Sequence, residues 1–294
     1  MFRDCITKSL LPYFLLVFAL ALAVPKSAAQ AGYTVTTIDV PSSTETDCND
    51  INKAGNIVGF YADSTGVDHG FEFVNGKFQN VNFPHASATL VYGVNDLNQA
   101  VGWYTDGSTG VTHGFLFSAG TFTAIDPPTS TYTNAWSINN TGEIVGTYIG
   151  SDGLFHGFSD VNGTYTTIDI PNAETSEVTG INNLGAMVGI FISTSSVQEG
   201  FSDVNGKLGL IKFPGSGLTS ADRINDKGEI VGLWGASSAG PFNGYTKIGS
   251  TYTNFLVSGS TETRVRGLNN AGSIVGRYTD SAAVIHGFVA TPSN

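Results

Sequence analysis

Only two cysteines occur in the 294 residues, Cys5 and Cys48. Cys5 falls in an apolar leader, so Cys48 has no partner for a disulfide, and the fold must be held by buried apolar surface. Charge is scarce too: 13% of the residues are Asp, Glu, Lys or Arg, and acids outnumber bases 24 to 13. A net charge of −11 argues against electrostatic capture of nucleic acid or anionic lipid. Long apolar runs are limited to Leu10–Val24, which follows Arg3 and Lys8 and precedes Ser27, Ala28 and Ala29. That run is shorter than the ~20 residues of a spanning helix, so residues 1–29 read as a secretory signal peptide and no membrane insertion is expected. Residues 30–294 then form one exported domain, periplasmic or extracellular, expected to be a monomer. Because the leader carries a net +2, the mature chain sits near −13. Also missing are G-x-S-x-G, H-E-x-x-H and any phosphate-binding glycine loop, so no catalytic residue, metal or cofactor is assigned.

What is present is repetition. I-N-K-A-G-N-I-V-G begins at Ile51 and recurs with small changes at Val94, Ile138, Ile181, Ile224 and Leu268, in steps of 43, 44, 43, 43 and 44 residues. Helical apolar spacing is absent, whereas 37 glycines and short Thr-, Val- and Tyr-rich runs between N-x-x-G or N-G turns indicate antiparallel strands. Each repeat divides into four. Around Asn139, strand a is expected over residues 136–139, b over 143–148, c over 156–160 and d over 164–170.

The ends of the chain supply the closure. Tyr33–Pro41 reads like strand d of the other repeats, and the sixth repeat stops after its strand c. One strand is extra at the start and one is missing at the end. The expected fold is therefore all-β: a six-bladed β-propeller of four-stranded antiparallel blades, with the N-terminal strand completing the last blade and no open edge.

The combination of I-N-x-x-G-x-I-V-G with H-G-F-L-F or H-G-F-S-D and a following glycine turn resembles the extracellular HAF repeat, over about residues 33–292. Glycine stands where the family name has alanine, at Gly70, Gly114, Gly157 and Gly287. The resemblance implies export and a propeller-like β repeat; it implies no reaction.

Most repeated side chains read as scaffold. His69, His113, His156 and His286 occupy one equivalent position in separate repeats, so they would point in symmetry-related directions and each is expected to bond within its own blade. The six repeat Asn residues suit turns. The aromatics after strand b (Tyr61, Tyr104, Tyr148, Phe191, Trp234, Tyr278) should pack between blades. Cys48 aligns with Val91, Ala135, Val178, Ala221 and Val265 and should be buried. Loops Asp63–Asp68 and Asp106–Gly110 carry a faint calcium-loop pattern but read better as polar turns.

One position is filled by six unlike residues: three before each repeat Asn stand Asn49, Tyr92, Trp136, Thr179, Asp222 and Arg266. A repeat that fixes packing elsewhere leaves this position to ligand contact or to drift. In a propeller the a strands line the central channel, so these six are the candidate ligand-binding residues. The expected role is a non-enzymatic binding module for a glycan, peptide or cell-surface partner. The alternatives are a propeller-type polysaccharide lyase or glycosidase, favoured by the cluster of Asp222, Arg223, Arg264 and Arg266, and a purely structural envelope protein.

Overall fold

The structure is a computed structural model that describes residues 27–30 and 32–293, so all but the last three residues of the expected leader lie outside it. Every regular element among the described residues is a β-strand. In the third repeat, Tyr132–Ile138, Ile144–Ile149, Phe155–Val161 and Thr164–Ile168 pair in that order as an antiparallel four-stranded sheet. The second, fourth and fifth repeats give sheets of the same order, the innermost strand of the fifth being split into Leu218–Thr219 and Arg223–Ile224. These sheets pack as the blades of a β-propeller.

The first and last repeats share one nine-stranded sheet. At one end it holds Glu45–Ile51, Ile57–Ala62, Asp68–Val74 and Lys77–Asn80; at the other, Glu262–Leu268, Ile274–Thr279, Ile285–Pro292 and Tyr33–Ile38. The link between the two ends is a single parallel bridge, Ile285 to Glu45. Tyr33–Ile38 pairs antiparallel with Ile285–Pro292 in continuous register from Tyr33↔Pro292 to Ile38↔Gly287. Ser27–Gln30 adds a further strand outside Tyr33–Ile38.

The innermost strand of the third blade starts at Tyr132, four residues before the start read from sequence, and the outermost ends at Ile168. The early start was hidden by a register shift between Ala135 and Ser137, which leaves Trp136 unpaired and breaks the alternation that marks a strand.

Close blade packing explains the glycine of H-G-F. A Cβ on Gly287 would lie 2.8 Å from Cys48 Sγ, and one on Gly70 would lie 2.5 Å from Val81 O and 2.8 Å from Val91 Cγ2. Each blade thus presents a bare backbone to the small apolar residue of the next. Cys48, Val91, Ala135, Val178, Ala221 and Val265 are all 0% exposed. Five strand-b aromatics sit at the margins of these clusters, Tyr61 beside Cys48 and Val275 and Tyr148 beside Ala135 and Val101, while Tyr104 is buried within its own.

At one face the repeat Asn residues do two jobs. Within its own turn, Asn182 Oδ1 accepts from the backbone N–H of Leu184 and Ala186, while Gly185 takes a positive φ of 76°. Between blades, Asn52 Nδ2 donates to Asn95 O, Asn95 to Asn139 O, Asn139 to Asn182 O, Asn182 to Asn225 O, Asn225 to Asn269 O, and Asn269 back to Asn52 O. These bonds, 2.9–3.3 Å long, form a closed circuit of amides.

Candidate binding site in the central channel

Register shifts recur at one level of the innermost strands, between Cys48 and Asp50, Val91 and Gly93, Ala135 and Ser137, Val178 and Gly180, and Val265 and Gly267. The skipped residues are Asn49, Tyr92, Trp136, Thr179 and Arg266. In the fifth blade the corresponding stretch, Ser220–Asp222, holds its neighbour through Ser220 N–H to Leu233 O and Asp222 N–H to Val231 O. A bulge leaves its extra residue outside the ladder and re-aims its side chain. All six residues singled out by sequence line one cavity of about 170 Å³ at the channel end opposite the Asn turns, together with Glu177, Ile190, Gln198, Ser220, Arg223 and Leu233.

One wall is aromatic. The Tyr92 and Trp136 rings meet edge to face at 4.4 Å and 81°, and Phe60 lies 6.5 Å behind Tyr92. Trp136 Nε1 donates to Thr147 Oγ1 at 3.0 Å, whose hydroxyl donates on to Glu177 Oε2 at 3.4 Å. Burial pushes the Tyr92 phenol up to about 12, so it stays neutral at ordinary pH.

The other wall is charged. Arg266 Nη1 lies 3.8 Å from Asp222 Oδ2, and its Nε lies 3.9 Å from Asp47 Oδ2. Arg277 Nε reaches the same Asp47 oxygen at 3.5 Å, and Arg264 Nε donates to Glu262 Oε1 at 2.6 Å. Burial opposes the charge on Arg266, but Asp47 and Asp222 outweigh it and hold the guanidinium above its usual value. For Asp222 and Glu177 burial dominates and raises both carboxyls. The chain has five arginines: Arg3 lies outside the described residues, Arg223 and Arg266 line the cavity, and Arg264 and Arg277 pair with Glu262 and Asp47.

Arg223 is that floor. Its Nη1 donates to the carbonyls of Thr179 and Asp222 and its Nη2 to those of Tyr92 and Trp136, which ties together backbone from four blades. Its Nε stands 3.5 Å from Asp50 Oδ2 of the first repeat. Burial raises the Asp50 carboxyl, with Arg223 opposing. On the far side of Arg223 a smaller cavity of about 70 Å³ is lined by the Asn circuit and by the residues that follow it.

Four buried side-chain atoms of residues that line the 170 Å³ cavity make no hydrogen bond among the described residues: Asn49 Oδ1, Asp222 Oδ2, Arg223 Nε and Arg266 Nε, the last three standing 3.5–3.9 Å from an opposite charge. Asn49 is 1% exposed and spends only its Nδ2, on Val91 O at 2.8 Å. Leaving a buried polar atom unpaired costs about 1–3 kcal/mol, so such a set is a candidate contact for a polar ligand. The Thr179 hydroxyl, by contrast, already donates to Ala221 O at 2.6 Å.

The other singled-out residues have local roles. His113, His156 and His286 donate from Nδ1 to Asp126, Asp169 and Asp39, and Asn82 donates to His69 Nδ1. Each imidazole also faces its blade's tyrosine at 5.1–5.4 Å. In the fourth blade Glu199 replaces the His and pairs with Lys212 at 2.7 Å, the same bond in different chemistry. The Asp63 loop is an Asx turn, with Oδ1 accepting from Thr65 N–H, Thr65 Oγ1 and Val67 N–H. Sequence reading passed over Asp50 and Glu177 and named Arg223 only for its charge. The signal for the floor was available: two before each repeat Asn the chain has Asp50, Gly93, Ser137, Gly180, Arg223 and Gly267, one cation and one anion among small residues.

No protein-family model matches the chain, and no curated protein matches its sequence. Solved structures do match its fold. A mutant of Aleuria aurantia lectin in complex with Fucalpha1-6GlcNAc aligns over 86% of this chain and 93% of its own at 10% identity, TM-score 0.52. A mutant of AofleA from Arthrobotrys oligospora aligns over 84% and 83% at 12% identity, TM-score 0.54. TolB from Acinetobacter baumannii aligns over 81% of this chain and 64% of its own at 10% identity, TM-score 0.57. At such identities the likeness is one of fold: an all-β propeller of four-stranded antiparallel blades.

Proposed function

We propose that the protein is an exported six-bladed propeller of the HAF-repeat kind, its last blade completed by Tyr33–Ile38, that binds a glycan in the 170 Å³ channel cavity. The blade count is supported by reading the nine-stranded sheet as two blades on either side of its single bridge, and by the six amides of the Asn circuit. Export and the removal of residues 1–29 rest on the sequence of the leader. The observation that carries the binding role is the convergence on one cavity of six unlike residues, five of them at strand bulges, with buried polar atoms that make no hydrogen bond. Aromatic rings beside polar groups suit the apolar and hydroxylated faces of a sugar. Fold neighbours that include a lectin with a bound fucoside are compatible with that choice.

The test is a glycan array followed by titration of the hits against the double variant Tyr92→Ala, Trp136→Ala. Binding should weaken by about 30-fold or more, the ~2 kcal/mol of a buried aromatic anchor, while the melting temperature stays within a few degrees. A large fall in melting temperature with affinity unchanged would remove both rings from the site. A second reading, a propeller lyase or glycosidase, draws on Asp222 and Glu177, two carboxyls raised by burial in the same cavity. Turnover of a polysaccharide panel that is lost in Asp222→Asn would favour it.

A further inference from the structure

We infer that the cavity is a blind pocket for the terminal unit of a neutral glycan, closed at its base by Arg223, so that chain ends enter and internal segments do not. The inference rests on the glycan-binding role proposed for the same cavity. Closure comes first. Arg223 is 6% exposed and its four bonds to backbone carbonyls span the channel. Around it the backbone itself is tight: a Cβ would lie 2.9 Å from Trp136 O at Gly93, 2.9 Å from Asp222 O at Gly180 and 2.7 Å from Asp50 Cα at Gly267. The throat holds one guanidinium and nothing can thread past it.

Size and polarity then choose the ligand. The 170 Å³ lies below the ~300 Å³ at which pockets for larger ligands begin, so one ring-sized unit is accommodated. The atoms left without a hydrogen bond are mixed in kind: Asn49 Oδ1 and Asp222 Oδ2 accept, and Arg223 Nε and Arg266 Nε donate. A cation would satisfy the two acceptors but face Arg266 and Arg223. A carboxylate would satisfy Arg266 but face Asp222, with Asp47 behind it. Hydroxyls donate and accept at once, so neighbouring hydroxyls of an uncharged sugar suit such a mixed set without adding a charge. The Tyr92 and Trp136 rings supply the apolar face.

The experiment uses the mature protein on an array in which each neutral and acidic sugar is presented both at chain ends and internally, followed by titration with the methyl glycoside of the preferred terminal sugar. Hits should share one neutral terminal unit, and its methyl glycoside should bind alone. Adding a further sugar to that unit should weaken binding roughly tenfold or more, the loss expected when buried hydrogen-bonding groups are left unpaired. Equal binding of internal units, still abolished by the Tyr92 and Trp136 double variant, would overturn the blind pocket and leave the proposed function standing. Hits confined to acidic termini would overturn the neutral class. Binding to no glycan would overturn this inference together with the proposed function.

Discussion

The closed amide circuit predicts that a substitution at the seam between the last and first repeats costs as much as one between sequence neighbours. Asn182 and Asn269 form a matched pair. Asn182 donates to Asn225 O at 2.9 Å and accepts from Leu184 and Ala186 N–H at 3.0 and 2.9 Å. Asn269 donates to Asn52 O at 3.1 Å and accepts from Ala271 and Ser273 N–H, both at 3.0 Å. Both are buried, at 5% and 8% exposure. Replacement by Ala removes three hydrogen bonds in each case, at about 1 kcal/mol apiece, so each variant should lose about 3 kcal/mol. For a domain of this size that corresponds to a fall in melting temperature of roughly 6–12 °C. The assay is thermal and urea unfolding of Asn182→Ala and Asn269→Ala side by side. In an open array the bond from Asn269 would not exist and its turn would fray with the chain end. A loss at Asn269 less than half that at Asn182 would therefore refute ring closure, whatever the value at Asn182.

Two further outcomes follow from single residues. His156 lies between Asp169 and Asp152; burial works against its charge, but the two carboxylates outweigh burial and raise its pKa. Its stabilising effect is complete below the unfolded value of about 6.5 and is lost as pH rises through the folded value, so wild-type stability should decline above that point relative to His156→Gln, and equal pH profiles would show the pairing to be inert. Cys48 is fully buried and its thiol is raised by burial, so native protein should resist maleimide while Cys48→Val and Cys48→Ala keep fold and binding; rapid labelling would mean the inter-blade slot opens.

How much was legible from the sequence depended on whether a feature repeats. The turn Asn, the slot occupied by Cys48 and its equivalents, and the His position recur, so comparing the chain with itself exposed them; the Asn and Asp residues that partner the His were not named. The ring of Asn49, Tyr92, Trp136, Thr179, Asp222 and Arg266 was visible for the opposite reason, as the one position with no rule. Bulges were not visible, because a residue skipped by the ladder leaves the count between repeats unchanged; strand a was accordingly begun at Trp136 instead of Tyr132. Arg223 was recognised as charged but not as a floor, since its partners are carbonyls, which every residue has, up to 131 positions away. Glu177 and Asp47 sit two residues further along the same inward face from Thr179 and Asn49, and their place could be seen only once the inner strands were known to extend that far.

The recurring bulge has a consequence for how such a chain can change over time. Residues paired in the ladder or wedged between blades answer to folding first, and a replacement there is judged by stability. A residue looped out of the ladder is released from strand pairing, and its side chain is turned toward the channel. Five such positions, with Asp222 at the sixth, can be altered while the turn amides and inter-blade slots stay fixed, Tyr92 with Trp136 and Arg266 with Asp222 changing as pairs. Recognition and foldability are thereby assigned to different residues of the same strand. A propeller of this design could acquire a new ligand through two or three substitutions that leave its melting curve almost where it was.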